Sequence, residues 1–317
     1  MKITEHLQKA ESTLFSLEIL PPLRGKSIND LYKVLDPLME FNPPFIDVTY
    51  HREEILYKKR SDGFIEQIPK RKRPGTVGIC AAIHNRYKVD TVPHLVCGGF
   101  TKGETEDALF SLHYLEIQNV MVLRGDALKS EVTFVPSEGG HNYASDLVKQ
   151  IKDMNEGKFL FEETANEMST DFCIGVAAYP EKHFESPNLS TDLKNLKKKV
   201  DMGADYIVTQ MFYDNQKYFK FLDMCKEEGI NVPIIPGLKP ITTKGQILAL
   251  PPRFHIDIPE ELSNEISKAK DNAAAKQIGV EWAVQQSREL MEYGVPCLHF
   301  YSMSRSEAVT AIAREIF

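Results

Sequence analysis

Short apolar runs rich in β-branched and aromatic residues alternate with longer amphipathic stretches along the whole chain. The runs predict strands over Leu14–Leu20, Phe45–Tyr50, Val92–Cys97, Val120–Leu123, Phe172–Ala177, Tyr206–Gln210, Val232–Pro236 and Cys297–Tyr301. Helical stripes lie between them. Leu193, Leu196, Val200 and Met202 form one, with Lys194, Lys197, Lys198 and Lys199 interspersed. Phe219, Leu222 and Cys225 form another, closed by Gly229, and a long pattern from Val280 to Tyr293 is closed by Gly294. Eight strands in strict alternation with helices predict an α/β chain folded as a (β/α)8 TIM barrel rather than an open doubly wound sheet. No composition shift marks a boundary, so residues 1–317 read as a single domain.

Two segments break the rhythm. Residues 52–75 are basic and hydrophilic, ending Lys70-Arg71-Lys72-Arg73-Pro74, and read as a solvated hairpin or loop inserted after the second strand. Lys129 to Asn142, with Gly139-Gly140-His141, follows the fourth strand and would be a long loop on the catalytic face of a barrel, a candidate cofactor contact.

Composition narrows the class. Of 317 residues, 42% are hydrophobic and 26% charged, which gives apolar mass enough for a core. A net charge of −7 argues against nucleic acid as a partner. No run approaches a membrane span, and the N-terminus has no apolar signal region. Five scattered cysteines, none in a C-x-x-C pair, suggest buried reduced thiols in a cytoplasmic protein, with no disulfide framework and no metal site.

Polar residues gather where the predicted strands end. Glu18 closes the first, before Pro21-Pro22. A carboxylate there is either the partner of a cation or a group whose pKa rises because it leaves water. Thr49-Tyr50 ends the second strand and His94 lies in the third, where a lone histidine reads as a hydrogen-bonded core residue. Arg124-Gly125-Asp126 follows the fourth, Tyr179 to His183 the fifth, and Thr209 to Asp214 the sixth. Polar groups at one end of many barrel strands point to a ligand site. Asp192, Asn195 and Lys199 follow helical spacing; they suit a solvated helix face or a phosphate. There is no G-x-G-x-x-G, no P-loop and no G-x-S-x-G.

Taken together, Phe15-Ser16-Leu17-Glu18-Ile19-Leu20-Pro21-Pro22, Val48-Thr49-Tyr50, Leu123-Arg124-Gly125-Asp126, Tyr143-Ala144-Ser145-Asp146-Leu147, Ala177-Ala178-Tyr179-Pro180-Glu181-Lys182-His183, Thr209-Gln210-Met211-Phe212 and His299-Phe300-Tyr301 resemble the bacterial-type methylenetetrahydrofolate reductases. The resemblance runs from about Thr13 to Ile316. It implies a barrel holding tightly bound, non-covalent FAD. Such an enzyme reduces 5,10-methylenetetrahydrofolate to 5-methyltetrahydrofolate in one-carbon metabolism and methionine synthesis. NADH or NADPH gives hydride to the flavin and leaves, and folate then takes it. By the resemblance, Glu18 and Asp126 are catalytic, Glu18 as proton donor to folate N10. Cofactor contacts are implied for Thr49, Tyr50, His94, Arg124, Gly125, Asp126, Tyr143, Ala144, Tyr179, His183, Asp192, Asn195, Lys198 and Lys199. Substrate contacts are implied for Gln210, Phe212, Gln246 and Arg305. A homo-oligomer is expected, and regulation by S-adenosylmethionine is not. The chain departs from the family where His51-Arg52 and the inserted segment replace small residues after Val-Thr-Tyr. That departure keeps open a partner protein as electron donor, and a non-catalytic barrel that only binds folate or flavin.

Overall fold

The computed structural model describes residues 1–128, 131, 133–161 and 168–317. Among these, the strands are β1 (Leu14–Ile19), β2 (Phe45–Val48), β3 (Glu54–Lys59), β4 (Ile65–Lys70), β5 (Asp90–Val96), β6 (Asn119–Leu123), β7 (Cys173–Ala178), β8 (Tyr206–Thr209), β9 (Ile234–Ile235), β10 (Gly237–Leu238) and β11 (Cys297–Met303). All pairings except β3–β4 are parallel, in the order β10-β11-β1-β2-β5-β6-β7-β8-β9. The two ends of that sheet, β9 and β10, are one segment interrupted by Pro236. Proline has no N–H for a ladder, so the strand changes partner there. Ile234-Ile235 pairs with β8 and Gly237-Leu238 with β11, while the Pro236 carbonyl accepts the His299 N–H. The sheet is thereby closed into the eight-stranded barrel expected from the alternation.

Gly237 makes the closure possible. A Cβ at this position would run into the Thr209 carbonyl oxygen and the Tyr301 hydroxyl. Those two groups bond to each other at 2.5 Å across the gap, and the Gly237 N–H donates to Thr209 Oγ1 at 3.0 Å. Gly237→Ala is expected to cost about 1–3 kcal/mol through overpacking, read as a lowered Tm; an unchanged Tm would show that the seam yields freely.

The barrel interior is graded. Ile3, Phe45, Val92, Met121, Cys173, Tyr206, Ile235 and Cys297 fill its lower part. The helix Ile3–Lys9, which the strand–helix pattern did not predict, plugs the bottom, with the Ile3 N–H bonded to Asn119 Oδ1. Two residues on from Phe45 and Val92, and four on from Leu14 and Cys297, the inward positions become Asp47, His94, Glu18 and Tyr301. Strand periodicity of two carries them to the same face as the apolar plug, nearer the C-terminal end, with Ser16 and His299 between on β1 and β11. Outside, a second core packs strands against helices. The lysine-rich stripe is the helix Leu189–Asp201, and the long C-terminal pattern begins earlier than expected, as Asn272–Tyr293. All five cysteines are free and buried.

The inserted basic segment is an antiparallel hairpin, β3 with β4, outside the barrel. Lys129, Ser130 and Val132 of the long loop after β6 lie outside the described residues.

Candidate active site

Glu18, Asp47 and His94 meet at the centre of the barrel's upper end. Strand register sets Glu18 beside Asp47 and Tyr301. His94 Nε2 lies 3.3 Å from Asp47 Oδ2 and 3.6 Å from Glu18 Oε2. Only an N–H can bond a carboxylate, so Nε2 carries the proton. The Glu18 side chain keeps 12% of its surface exposed, which opens it to the mouth without solvating it. Burial pushes its pKa up to about 7; the His94 and Lys239 charges pull down and the Asp47 charge adds to the rise. Burial lowers the pKa of His94, but its bond to Asp47 and the charges of Glu18 and Asp47 outweigh this and raise it overall. Burial thus holds Glu18 as a carboxylic acid poised near neutrality, with a cationic neighbour ready when it ionises. Below them, Ser16 Oγ bonds His299 Nδ1 at 2.9 Å, and burial holds His299 down to about 4, so that ring is neutral.

The rim is built by the turns after the strands. Thr49 Oγ1 and the Tyr50 hydroxyl are buried with no hydrogen-bond partner among the described residues. After β6, Gly125 adopts φ +87°, a left-handed turn that suits glycine, and Asp126 projects at the surface. Its charge reaches Tyr179 and His51. Arg124 Nη1 bonds Glu185 Oε2 at 2.6 Å and its guanidinium lies 5.1 Å from the Phe134 ring centre. Tyr143 is the exposed N-terminal cap of the helix opening at Ala144. The Tyr179 ring meets His183 edge-on at 4.7 Å. Asp192, in the first turn of the helix Leu189–Asp201, ties down the loop before it by accepting the His183 N–H at 2.9 Å and the Ser186 Oγ–H at 2.8 Å.

Lys199 is half-buried and donates to the Ala177 carbonyl at 2.5 Å; burial pulls its pKa down to about 8, against the Asp192 charge. With Asn195 and Tyr179 it lines a small cavity. Lys198, on the adjoining side of the helix, borders a cavity of about 610 Å³ that also touches Ser145 and Asp146. Gln210 sits at the end of β8, its Oε1 taken by the Met211 N–H at 2.9 Å. Gln246 Oε1 accepts the Thr242 and Thr243 N–H groups, and Arg305 is exposed after β11. Phe212 departs from the expected substrate contact. It is fully buried and stacked on Tyr218, ring planes 2° apart at 5.1 Å, in the turn between β8 and the helix Asn215–Glu227.

Sequence reasoning missed three participants. Asp47 was detectable as the one charge inside an otherwise apolar strand. Lys239 follows β10, and its pKa is lowered by burial and partly restored by Glu18. Arg52 follows Val48-Thr49-Tyr50, in the turn after β2. It reaches the Asp126 carbonyl at 3.3 Å and Glu131 Oε2 at 3.4 Å, and fills the space a side chain on Gly98 would need. Arg52 therefore acts as a clamp on the turn after β6.

The features that fit a flavin nucleotide are unpartnered buried hydroxyls at Thr49 and Tyr50, a half-buried amine at Lys199, and open space beside Lys198. Among the described residues no group of side chains could hold a metal ion, and no helix is long and apolar enough to cross a membrane.

A family profile described as methylenetetrahydrofolate reductase matches residues 2–316. This chain belongs to the methylenetetrahydrofolate reductase family. It is similar to 5,10-methylenetetrahydrofolate reductase of Escherichia coli, 30% identical over 95% of this chain and 90% of that one. It is 32% identical to methylenetetrahydrofolate reductase 1 of Schizosaccharomyces pombe over 100% of this chain and 48% of that one. Against methylenetetrahydrofolate reductase (NADH) 1 of Arabidopsis thaliana the identity is 31%, over 98% and 50%. The chain spans about half the length of the fungal and plant family members it matches. Its fold is shared with an uncharacterized protein of Clostridium thermocellum, described as binding two copies of 5-methyl-5,6,7,8-tetrahydrofolic acid, with TM-score 0.59, 16% identity and 98% of each chain covered.

Proposed function

We infer that this chain reduces 5,10-methylenetetrahydrofolate to 5-methyltetrahydrofolate, with electrons from NADH or NADPH carried through a non-covalently held FAD. The observation that carries the reading is a carboxyl group at the barrel mouth, Glu18, whose pKa is pushed up to about 7 beside a His94–Asp47 pair. Bound FAD would supply the hydride carrier between nicotinamide and folate. Every other part of the task falls to side chains. Glu18, protonated, donates to folate N10, so that the imidazolidine ring opens to an electrophilic iminium. The resulting carboxylate is met by the His94 imidazolium and the Lys239 ammonium.

Asp126 at the rim opposes the positive charge that develops on the folate as its ring opens. Gln210, Gln246 and Arg305 surround the folate from the ends of β8, the turn before the helix Gln246–Phe254, and β11. Arg124, Lys198 and Lys199 would neutralise a diphosphate, and Tyr143, Ala144, Tyr179, His183, Asp192 and Asn195 would line the nucleotide. Thr49 and Tyr50 offer their free hydroxyls to the flavin or the nicotinamide. On this reading residues 1–317 form one catalytic domain, with 52–75 inserted.

The test is direct. Protein reconstituted with FAD is expected to show a flavin absorption band that NADH or NADPH bleaches in stopped flow. It should also oxidise 5-methyltetrahydrofolate with a dye as acceptor. A reconstituted protein that bleaches with neither nicotinamide and leaves 5-methyltetrahydrofolate untouched would overturn the reading.

A further inference from the structure

The turn after β6 carries Asp126, and little within that turn holds it. The chain leaves the sheet at Leu123, whose carbonyl accepts the Cys97 N–H at 3.1 Å, and Gly125 then turns it at φ +87°. Among the described residues a single hydrogen bond reaches Gly125, Asp126 or Ala127, and it comes from another strand's turn. Arg52 Nη1 donates to the Asp126 carbonyl at 3.3 Å. A glycine turn so sparsely bonded has many conformations open to it without that tie.

Arg52 is built into its place. Its side chain keeps 13% of its surface exposed, and Nη1 also meets Glu131 Oε2, 17% exposed, at 3.4 Å. Nη2 donates to the Val135 carbonyl at 3.5 Å, and the guanidinium lies 5.4 Å from the Phe134 ring centre. Glu131 Oε2 in turn accepts the Leu128 N–H at 2.8 Å, so the charge pair also fixes the chain two residues past Asp126. The same guanidinium packs on Gly98, where any Cβ would collide with it. Turns after β2, β5 and β6 thus converge on one planar group, whose fork of donors an ammonium cannot reproduce. The Asp126 carboxylate makes no hydrogen bond or ion pair among the described residues, so its placement comes from the backbone that Arg52 holds.

We propose that Arg52 is a positioning residue for the folate half-reaction, fixing the turn after β6 so that the Asp126 carboxylate faces the charge that develops on the folate. The inference rests on the role given to Asp126 above. Arg52→Met keeps the aliphatic stem and removes every donor. In FAD-loaded protein it is expected to slow reoxidation of the reduced flavin by saturating 5,10-methylenetetrahydrofolate about 10–10²-fold, the scale of a misplaced catalytic group. Flavin reduction by NADH or NADPH should be unchanged. Arg52→Lys, a cation without the fork, should fall between Arg52→Met and the parent. Arg52→Met added to Asp126→Asn should cost nothing further, because it acts through the group already removed. Losses that multiply in the double variant, an Arg52→Met rate equal to the parent's, or equal loss in both half-reactions overturns the proposal. Amide exchange at Leu128 reads the hold without turnover. It should quicken at least about tenfold in Arg52→Met, as for loss of a charge-assisted hydrogen bond, and unchanged exchange also overturns the proposal. A parent chain that never passes hydride to folate would instead overturn the reaction, and the exchange result would still decide whether Arg52 holds the turn.

Discussion

Glu18→Gln is expected to lower folate turnover by about 10²–10⁴-fold, the range for loss of a general acid, while NADH or NADPH still bleaches the flavin at the parental rate. The amide keeps the shape and removes the proton. Equal loss in both half-reactions would show that Glu18 holds the cofactor rather than the folate proton. In the parent enzyme the folate half-reaction should fall as pH rises through about 7, where Glu18 loses its proton. The same group ties stability to pH. Its pKa rises from 4.5 to about 7 on folding, so the folded state binds the proton more tightly and stability declines as pH rises between those values. Above pH 7 the cost reaches about 3 kcal/mol for a shift of this size. Glu18→Gln should therefore be more stable than the parent at pH 8 and gain nothing at pH 4, measured by denaturant unfolding.

Removing His94 should have the other large effect. His94→Leu leaves Asp47 and Glu18 facing each other in the barrel without a cation between them. Breaking a buried charge pair on one side costs about 3–5 kcal/mol. Because pairing raises the His94 pKa above its ordinary 6.5, its contribution is fully present below that value and fades as pH rises through the folded one, so the loss should be greatest near pH 5 and smaller at pH 8. Thermal unfolding across that range checks the slope. Without the imidazolium the Glu18 pKa should climb further, moving the fall in folate turnover to higher pH. A stability loss independent of pH would reduce His94 to a packing residue.

Several features were legible in the sequence because they depend on local periodicity. Each of the eight predicted strand runs overlaps a barrel strand, from Leu14–Ile19 to Cys297–Met303. Gly294 ends its helix at φ +91°, as a glycine after an apolar stripe should. Glu18 stood out as a charge at the end of an apolar strand. Phe212 shows the limit of such reading. It lies beyond the end of β8, where strand alternation no longer holds and nothing local says which way a side chain turns. The sequence motif put it with Gln210 among the substrate contacts, and packing on Tyr218 takes it into the outer core instead.

The sequence by itself determined the strand–helix alternation, the barrel class and the family, because these follow from patterns that repeat along the chain. Tertiary structure alone decided that Pro236 splits one strand between two partners, that Asp47 and His94 flank Glu18, and that Arg52 clamps the turn after β6. Each of these joins residues dozens of positions apart. Their distances are set by barrel closure and strand register, and the pKa of Glu18 is set by those distances and by burial, which no single segment encodes.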